Sequence, residues 1–311
     1  MSTRIATFDV GSNTVLMLAV EVDETRRPRI LAELARITRM GRGVDKNGRL
    51  DPGSAALTLA TLEEFAAKAR EVGAERVVAA ATAALRDAAD GAAFIAQLKE
   101  RAGVDLQIIA GAEEAALSHL AVVRGLKTDA ASPLLIVDIG GGSTELIRAE
   151  PGTPLGMVSL QIGSVRLTER CVHSDPPSDS DATALRMTID GALDRLGWDY
   201  RPAQLVGIAG TVTTLCAVAL GLRDYDSTVV HGHRLSRAEI ERVSNLLRSM
   251  ALAERLKLPG LPEGRADVIF AGATILERVM TRFRIDEVIV SDQGVRWGLM
   301  WREIDRLYPP R

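Results

Sequence analysis

Short apolar runs alternate with amphipathic stretches from one end of this chain to the other. Arg4–Val10 is short and β-rich and runs into Gly-Ser-Asn, which predicts a strand entering a tight turn. Val15–Val22 is a second apolar run, so the two form a predicted hairpin, and Ile30–Thr38 fits a third strand. Asp51-Pro52 predicts a helix start, with Asp as N-cap and Pro at the first helical position. Leu59, Leu62, Ala66, Ala69 and Gly73 then recur at spacings of three and four, one helical face. Val77–Ala81 reads as a buried strand, and Asp90–Ala102 as a helix stopped by Gly103. Leu106–Ile109 is a short strand, and Ala112–Arg124 a helix stopped by Gly125.

The second half restarts the pattern. Leu134–Asp138 is apolar and ends in Gly-Gly-Gly-Ser-Thr, followed by strands at Glu145–Glu150 and Leu155–Leu160. Helices are predicted at Gly163–Arg170 and Asp181–Leu196, with the Pro-rich stretch His173–Ser180 a surface loop before the second. Leu205–Ile208 is a strand, and Gly210–Leu220 a turn into a helix. Ser236 and Glu239 make a capping box, and Ile240, Val243, Leu247 and Met250 give that helix its apolar face. A helix at Ala266–Phe283, a strand at Val288–Val290 and a final helix at Gly294–Arg306 complete the chain. The alternation defines an α/β protein.

One internal echo organises the whole. Phe8-Asp9-Val10-Gly11-Ser12-Asn13-Thr14 resembles Val137-Asp138-Ile139-Gly140-Gly141-Gly142-Ser143-Thr144, and the two Asp residues lie 129 positions apart. Each Asp ends a hydrophobic strand and opens a Gly/Ser/Thr turn before another strand. The expectation is a duplicated unit facing itself across a cleft. The domains are 1–126 and 127–311, joined in Lys127–Pro133, with the final helix, about 294–307, free to pack back on the first.

Composition narrows the class. In 311 residues, 47% are hydrophobic and 25% charged, which excludes intrinsic disorder as the main state. Aromatics are only 4%, against a base-stacking platform, and 38 basic and 41 acidic residues give a net charge of −3, against a nucleic-acid coat. Cys171 and Cys216 form no C-x-x-C pair, so no disulfide framework or zinc site is implied. The N-terminus lacks the apolar segment of a signal peptide. The long apolar run Leu205–Leu222 has 18 residues and carries three Gly and three Thr, short of a spanning helix. The expectation is a soluble, cytoplasmic protein with no membrane or nucleic-acid partner.

The turns carry candidate chemistry. Glycine allows close backbone approach, and successive N–H groups aimed into one concavity bind phosphate oxygens. Asp9 or Asp138, at a strand end, can hold Mg²⁺ directly or through water. A single such turn is equally consistent with an ordinary hairpin, whereas two matching turns one domain apart favour phosphate. Asp138 and Glu145 flank the second turn, so both carboxylates can reach one metal or one water. Glu113 and Glu114 begin a helix, where the macrodipole alone favours acids, but a general base that deprotonates water would also fit. Arg42, Arg86, Arg166, Arg265 and Arg296 sit beside turns or strand ends, where guanidinium groups grip phosphate bidentately. Gly210 and Thr211 open a helix, another phosphate-ready terminus. His231-Gly232-His233 has no evident third ligand and reads as a loop. No P-loop and no Gly-x-Ser-x-Gly elbow is present.

The paired turns resemble those of the acetate and sugar kinase, actin and heat-shock chaperone superfamily. Further strings narrow the resemblance to the exopolyphosphatase and guanosine pentaphosphate phosphohydrolase family. They are Asp9-Val-Gly-Ser-Asn-Thr14, Ala81-Thr-Ala-Ala-Leu-Arg-Asp-Ala88, Gly111-Ala-Glu-Glu-Ala115 and Val137-Asp-Ile-Gly-Gly-Gly-Ser-Thr-Glu145. Gly163-Ser-Val-Arg-Leu167, Gly207-Ile-Ala-Gly-Thr-Val-Thr-Thr214, Val230-His-Gly232, Arg265-Ala-Asp-Val-Ile-Phe-Ala-Gly272 and Ser291-Asp-Gln-Gly-Val-Arg-Trp-Gly298 follow in family order. After Asp9 the chain departs from many relatives, with Thr14-Val15-Leu16 where they carry Ser and then Arg or His.

The resemblance implies two ribonuclease-H-like domains of the actin-like ATPase type, with the active site in the interdomain cleft. It implies Mg²⁺-dependent hydrolysis (Mn²⁺ as a substitute) of the terminal phosphoanhydride of inorganic polyphosphate. Glu114 would be the catalytic base, with Asp138 and Glu145 completing the catalytic set and, with Asp9, holding metal. Gly11, Ser12, Asn13, Arg86, Gly140, Gly141, Gly142, Ser143, Thr144, Gly210, Thr211 and Arg265 would bind phosphate. The chain ends where the family's short form ends, which favours shorter chains, and a homodimer is implied. The alternatives are a guanosine pentaphosphate phosphohydrolase and, on the same fold, a phosphotransferase or a non-hydrolytic nucleotide sensor.

Overall fold

The computed structural model describes residues 2–126, 128 and 132–309. The chain divides into two compact units, Met1–Ala121 with Gly294–Arg311, and Val122–Gln293. Of the linker expected at Lys127–Pro133, Lys127 and residues 129–131 lie outside the described residues.

The first unit is built on strands β1 (Thr3–Val10), β2 (Thr14–Val22), β3 (Arg29–Ile37), β4 (Arg76–Ala81) and β5 (Leu106–Ile108). They lie in the order β3-β2-β1-β4-β5. β1, β2 and β3 form an antiparallel meander, whereas β4 and β5 run parallel to β1. The helices are α1 (Val44–Asn47), α2 (Pro52–Glu71), α3 (Ala83–Asp87), α4 (Gly91–Ala102) and α5 (Gly111–Leu126), which continues past the division of units. The predicted cap of α2 is present: the Asp51 side chain accepts from the Ser54 N–H with Pro52 in the first turn. Leu59, Leu62, Ala66 and Ala69 are buried on its inner face. Gly73 lies beyond the helix end at φ 72°.

Strand alternation decides what each face of β1 does. Ala6, Phe8 and Val10 enter the main core with Met17, Leu62, Phe65 and Leu98. Ile5, on the opposite face, packs with Leu18 and Val20 against Trp297, Met300 and Ile304 of the C-terminal helix, Val295–Leu307. Thr7 shares that face, and its hydroxyl donates to the Arg296 carbonyl at 3.0 Å. Asp9 is the next residue on the same face.

The second unit repeats the plan. β6 (Leu134–Ile139), β7 (Thr144–Ala149) and β8 (Gly156–Leu160) form the meander, and β9 (Gln204–Ile208) and β11 (Glu287–Val290) extend it in parallel. The strand order β8-β7-β6-β9-β11 matches that of the first sheet, with one addition, β10 (Arg234–Ser236), at the far edge. Helices α6 (Ser164–Cys171), α7 (Asp179–Asp194), α8 (Ala209–Leu220), α9 (Ser227–Val230), α10 (Arg237–Ser249), α11 (Leu252–Arg255) and α12 (Ile269–Phe283) accompany it. The C-terminal helix is therefore α13. Val137 and Ile139 of β6 pack in one core with Leu185, Leu215, Ile240, Val243 and Ile275. The capping box of Ser236 and Glu239 is present. Among the described residues no helix is long and apolar enough to cross a membrane.

Two expectations are corrected, and one strand is added. The helix predicted from Ala266 begins at Ile269, and a 3-10 turn, Glu263–Arg265, precedes it. The helix predicted from Asp181 begins at Asp179, because Ser178 is the N-cap and Asp181 the third residue of its capping box. Strand β10, three residues long, was not predicted.

Candidate functional site

In the first unit the parallel strands β1, β4 and β5 all end at one edge of the sheet, the place where open α/β sheets bind ligands. The turn after β1 is closed by Gly11 N–H donating to the Thr14 carbonyl at 3.1 Å. Its outward carbonyls are tied down. Asn13 O accepts from Thr38 and Arg39 N–H, both at 3.0 Å, and Ser12 O from Gly41 N–H at 2.7 Å. Among the described residues, the N–H groups of Ser12 and Asn13 make no hydrogen bond. A turn with bound carbonyls and unengaged N–H groups is a ready anion cradle.

The neighbouring strand ends add side chains. Arg86, near the end of α3 after β4, donates to the Ile109 carbonyl at 3.2 Å and lies 4.0 Å from the Glu114 carboxylate in the first turn of α5. Glu113 is turned elsewhere and accepts from Arg302 at 2.6 Å. The two acids that position in the helix leaves equivalent are thus separated: Glu114, to which the resemblance points, stands with Arg86 at the strand-end edge. Asp9 lies beneath α13, and burial pushes its carboxyl up to about 6, opposed by the nearby Arg296 guanidinium. Arg296 itself donates to Glu33 at 2.5 Å.

The second unit builds the same device with different parts. Gly140 N–H donates to the Ser143 carbonyl at 3.0 Å. The Gly140 carbonyl accepts from Ser164 N–H at 2.9 Å, and that of Gly141 from Val165 at 2.9 Å and Arg166 at 3.1 Å. Arg166 Nε donates to the Gly142 carbonyl at 2.7 Å. The first turn of α6 therefore clasps the carbonyl side of the glycine turn. The N–H groups of Gly141, Gly142 and Ser143 make no hydrogen bond among the described residues. Gly163 is needed for this approach, because a Cβ there would lie 2.2–2.4 Å from Gly141 and Gly142 backbone atoms.

Asp138 and Glu145 are direct partners in the antiparallel β6–β7 register, so their side chains share a sheet face. Ser159 of β8, opposite Glu145, donates to its Oε1 at 2.6 Å. Two carboxylates directly across a ladder repel each other, and a divalent cation removes the repulsion. Mg²⁺ is bound by one or two carboxylates with waters and substrate phosphates completing the shell, and this pair fits that pattern. Among the described residues no group of three or more His, Cys, Asp or Glu side chains is suited to a metal. The residue opposite Asp9 is Leu16, so the first turn offers no matching pair.

After β9, Ala209 adopts φ 63° and α8 begins. The Arg265 guanidinium lies over Gly210: a Cβ there would meet its Nη2, Cζ and Nη1 at 1.9, 2.3 and 2.4 Å. Burial pulls the Arg265 pKa down to about 10, with Tyr225 opposing, so the group remains charged at neutral pH. Tyr225 in turn donates to Asp292, in the turn after β11, at 2.5 Å.

Two expected phosphate ligands have other work for their hydroxyls. Thr144 is fully buried and donates to the Ile162 carbonyl, and Thr211 donates to the Ile139 carbonyl at 2.7 Å. His231 Nδ1 accepts from the Asp292 N–H at 3.3 Å, in keeping with a loop role. Both cysteines are buried, and burial pushes Cys216 up to about 12, far from a reactive thiolate. Neither the 38–41 segment holding the first turn nor Arg166 bracing the second is legible in the sequence, since both contacts join residues far apart in the chain.

The Ppx/GppA phosphatase family profile matches residues 18–307. Exopolyphosphatase 2 of Mycobacterium tuberculosis is 36% identical over 315 residues, covering 96% of this chain and 97% of that protein. Guanosine-5'-triphosphate,3'-diphosphate pyrophosphatase of Vibrio atlanticus is 28% identical, covering 96% of this chain and 59% of that one. The crystal structure of the Aquifex aeolicus member of the Ppx/GppA family superposes with a TM-score of 0.86 at 30% identity, covering all of both chains. The duplicated topology thus has the actin-like two-domain fold of those structures, and the chain belongs to the Ppx/GppA phosphatase family.

Proposed function

We propose that this protein is an exopolyphosphatase, which hydrolyses the terminal phosphoanhydride of inorganic polyphosphate and releases orthophosphate. The observation that carries the reading is the pair of strand-end turns with tied carbonyls and unengaged N–H groups, each beside acidic and arginine side chains. Phosphoryl transfer needs a positioned water and neutralised phosphate charge, and little covalent chemistry. Glu114 takes the proton from the attacking water, the water oxygen bonds to the terminal phosphorus, and the bridging oxygen leaves with the shortened chain. The N–H groups of the two turns, with Arg86 and Arg265, hold phosphate oxygens. Asp138 and Glu145 hold Mg²⁺, which supplies neutralisation of the phosphoryl charge when bound. The likeness to Exopolyphosphatase 2 over nearly the full length of both chains supports polyphosphate. Preference for shorter chains and a homodimer belong to the same proposal.

The Vibrio relative keeps guanosine pentaphosphate as a second reading, because the turns bind phosphates and carry no group that selects a base. The test is orthophosphate release, with Mg²⁺ and with chelator, from short polyphosphate, long polyphosphate and guanosine pentaphosphate. Metal-dependent release from polyphosphate that Glu114→Gln abolishes, with polyphosphate still bound, is the expected result. Release from pentaphosphate alone supports the second reading, and equal loss of binding and turnover in Glu114→Gln removes the base role.

A further inference from the structure

The second sheet has two edges, and the turns above occupy only one. At the other edge, before β9 and after α12, lies a small solvent-open pocket of about 120 Å³ lined by Asp199, Tyr200, Arg201, Arg282, Phe283 and Arg284. Strand β9 has five residues, so at about 3.3 Å each the pocket is roughly 15 Å from the Gly210 turn. Three guanidinium groups and one carboxylate line it. Among the described residues, none of Arg201, Arg282 and Arg284 makes an ion pair. Elsewhere the arginines of this protein commonly pair with carboxylates, as Arg278 does with Asp190 and Arg234 with Glu287.

The pocket walls are fixed. The Tyr200 hydroxyl lies 3.0 Å from the Leu134 carbonyl and 3.1 Å from that of Ala149 and can donate to either, which pins the loop bearing Asp199 and Arg201. Arg282 donates to the Trp198 carbonyl at 3.2 Å, joining that loop to the last turn of α12. Arg284 ends α12 at φ 55°, a conformation that normally selects glycine at this position. A helix C-terminus favours cations by itself and accounts for Arg282 and Arg284. It does not account for Arg201, which arrives from another element to meet them. Converging like charges repel, and an anion of at least two charges resolves the repulsion while matching the fork geometry of the guanidinium groups.

We propose that this pocket is a second phosphate site, binding phosphoryl oxygens from free phosphate or pyrophosphate or from one segment of a polyphosphate chain. The assignment rests on the pocket alone and does not depend on the hydrolytic reading. The test is site-resolved arginine modification of the full-length protein with phenylglyoxal, mapped by peptide mass spectrometry. Orthophosphate, pyrophosphate and a short polyphosphate are titrated separately, with sodium chloride at matched ionic strength. The expected result is saturable protection of Arg201 and Arg284 that chloride does not reproduce. Protection by pyrophosphate or orthophosphate assigns the free anion, and protection by the polymer alone assigns a chain segment. Arg201→Gln weakens the protection of Arg284 about tenfold, the loss of one charge-assisted contact, and Asp199→Asn strengthens it. Unchanged labelling with all three phosphates, or protection that chloride matches, overturns the proposal. Failure of hydrolysis with intact protection would refute the activity and leave this site standing.

Discussion

Gly210→Ala isolates the contribution of Arg265. The added methyl would sit 1.9–2.4 Å from three atoms of the Arg265 guanidinium, too close for any real contact, so the guanidinium must swing away. The obstacle is the far end of a flexible side chain, so the backbone need not move. Gly210 lies in the first turn of α8, where alanine gains up to about 1 kcal/mol in helix propensity. Stability should therefore stay level or rise slightly. Activity should not. In the role proposed for Arg265, a displaced guanidinium forfeits a bidentate contact to phosphate, worth about 3 kcal/mol when the charge it meets is developing. At about 1.4 kcal/mol per decade, that is a loss of about a hundredfold in kcat/KM for orthophosphate release. The assay pairs steady-state phosphate release with thermal unfolding of both forms. A double-mutant cycle with Arg265→Ala fixes the cause: if the methyl acts by moving Arg265, Gly210→Ala has no further effect in the Arg265→Ala background. Activity within threefold of wild type, or full additivity in the cycle, would refute the reasoning.

Three further outcomes follow from the geometry. In Gly163→Ala the new methyl meets backbone, not a side chain, so the clasp on the glycine turn must open. The expected cost is about 3 kcal/mol in denaturant unfolding, and a variant as stable as wild type would contradict it. Asp138→Asn leaves Glu145 as a single carboxylate and should raise the half-saturating Mg²⁺ concentration at least about tenfold, read from phosphate release against metal. An unchanged Mg²⁺ dependence would remove Asp138 from the metal seat. Asp181 accepts from Ser174 N–H, the Ser174 hydroxyl and Ser178 N–H, which hold its carboxyl well below the usual carboxylate range. A depressed pKa contributes stability above the unfolded value and loses it as pH falls toward the folded one. The gap in Tm between wild type and Asp181→Asn should be constant above about pH 5 and shrink below about pH 4, and a gap undiminished at about pH 3 would exclude this origin.

Much of the fold was legible because local signals and burial agree. The β1–β2 hairpin follows from apolar runs on either side of Gly-Ser-Asn, and Asp51 and Ser236 mark helix starts through side-chain caps that the structure contains. The misreadings have local causes. Ala266 is buried like the helical residues from Ile269 onward, so the apolar pattern reads as helix through the turn at 266–268. The Pro-rich stretch before Asp181 reads as loop, but Ser178 caps the helix and its reciprocal bonds with Asp181 make Asp181 the third residue of the box. At the site, Glu113 and Glu114 are indistinguishable by position, since both sit in the first turn of a helix. Their difference comes from Arg302, 189 residues away. Likewise the hydroxyls of Thr144 and Thr211 read as phosphate donors until their carbonyl partners are known.

The repeated topology also shows where the two units diverged. Asp9 and Asp138 end the corresponding strands β1 and β6, yet the residue across the ladder is Leu16 for one and Glu145 for the other. The neighbour on the uncovered side differs too: Asp9 lies under α13 with Arg296 close by, and its carboxyl is pushed up to about 6 by burial. A group near a guanidinium and lacking a second carboxylate is a poorer seat for a divalent cation than a carboxylate pair, because the guanidinium already offsets its charge. Asp9→Asn should then lower kcat while moving the half-saturating Mg²⁺ concentration less than threefold, in contrast to the shift of about tenfold or more expected for Asp138→Asn. The two variants are compared in one titration of phosphate release against Mg²⁺. An equal shift for both would mean that Asp9 also serves the cation, and would refute the distinction drawn from Leu16 and Glu145 across the two ladders.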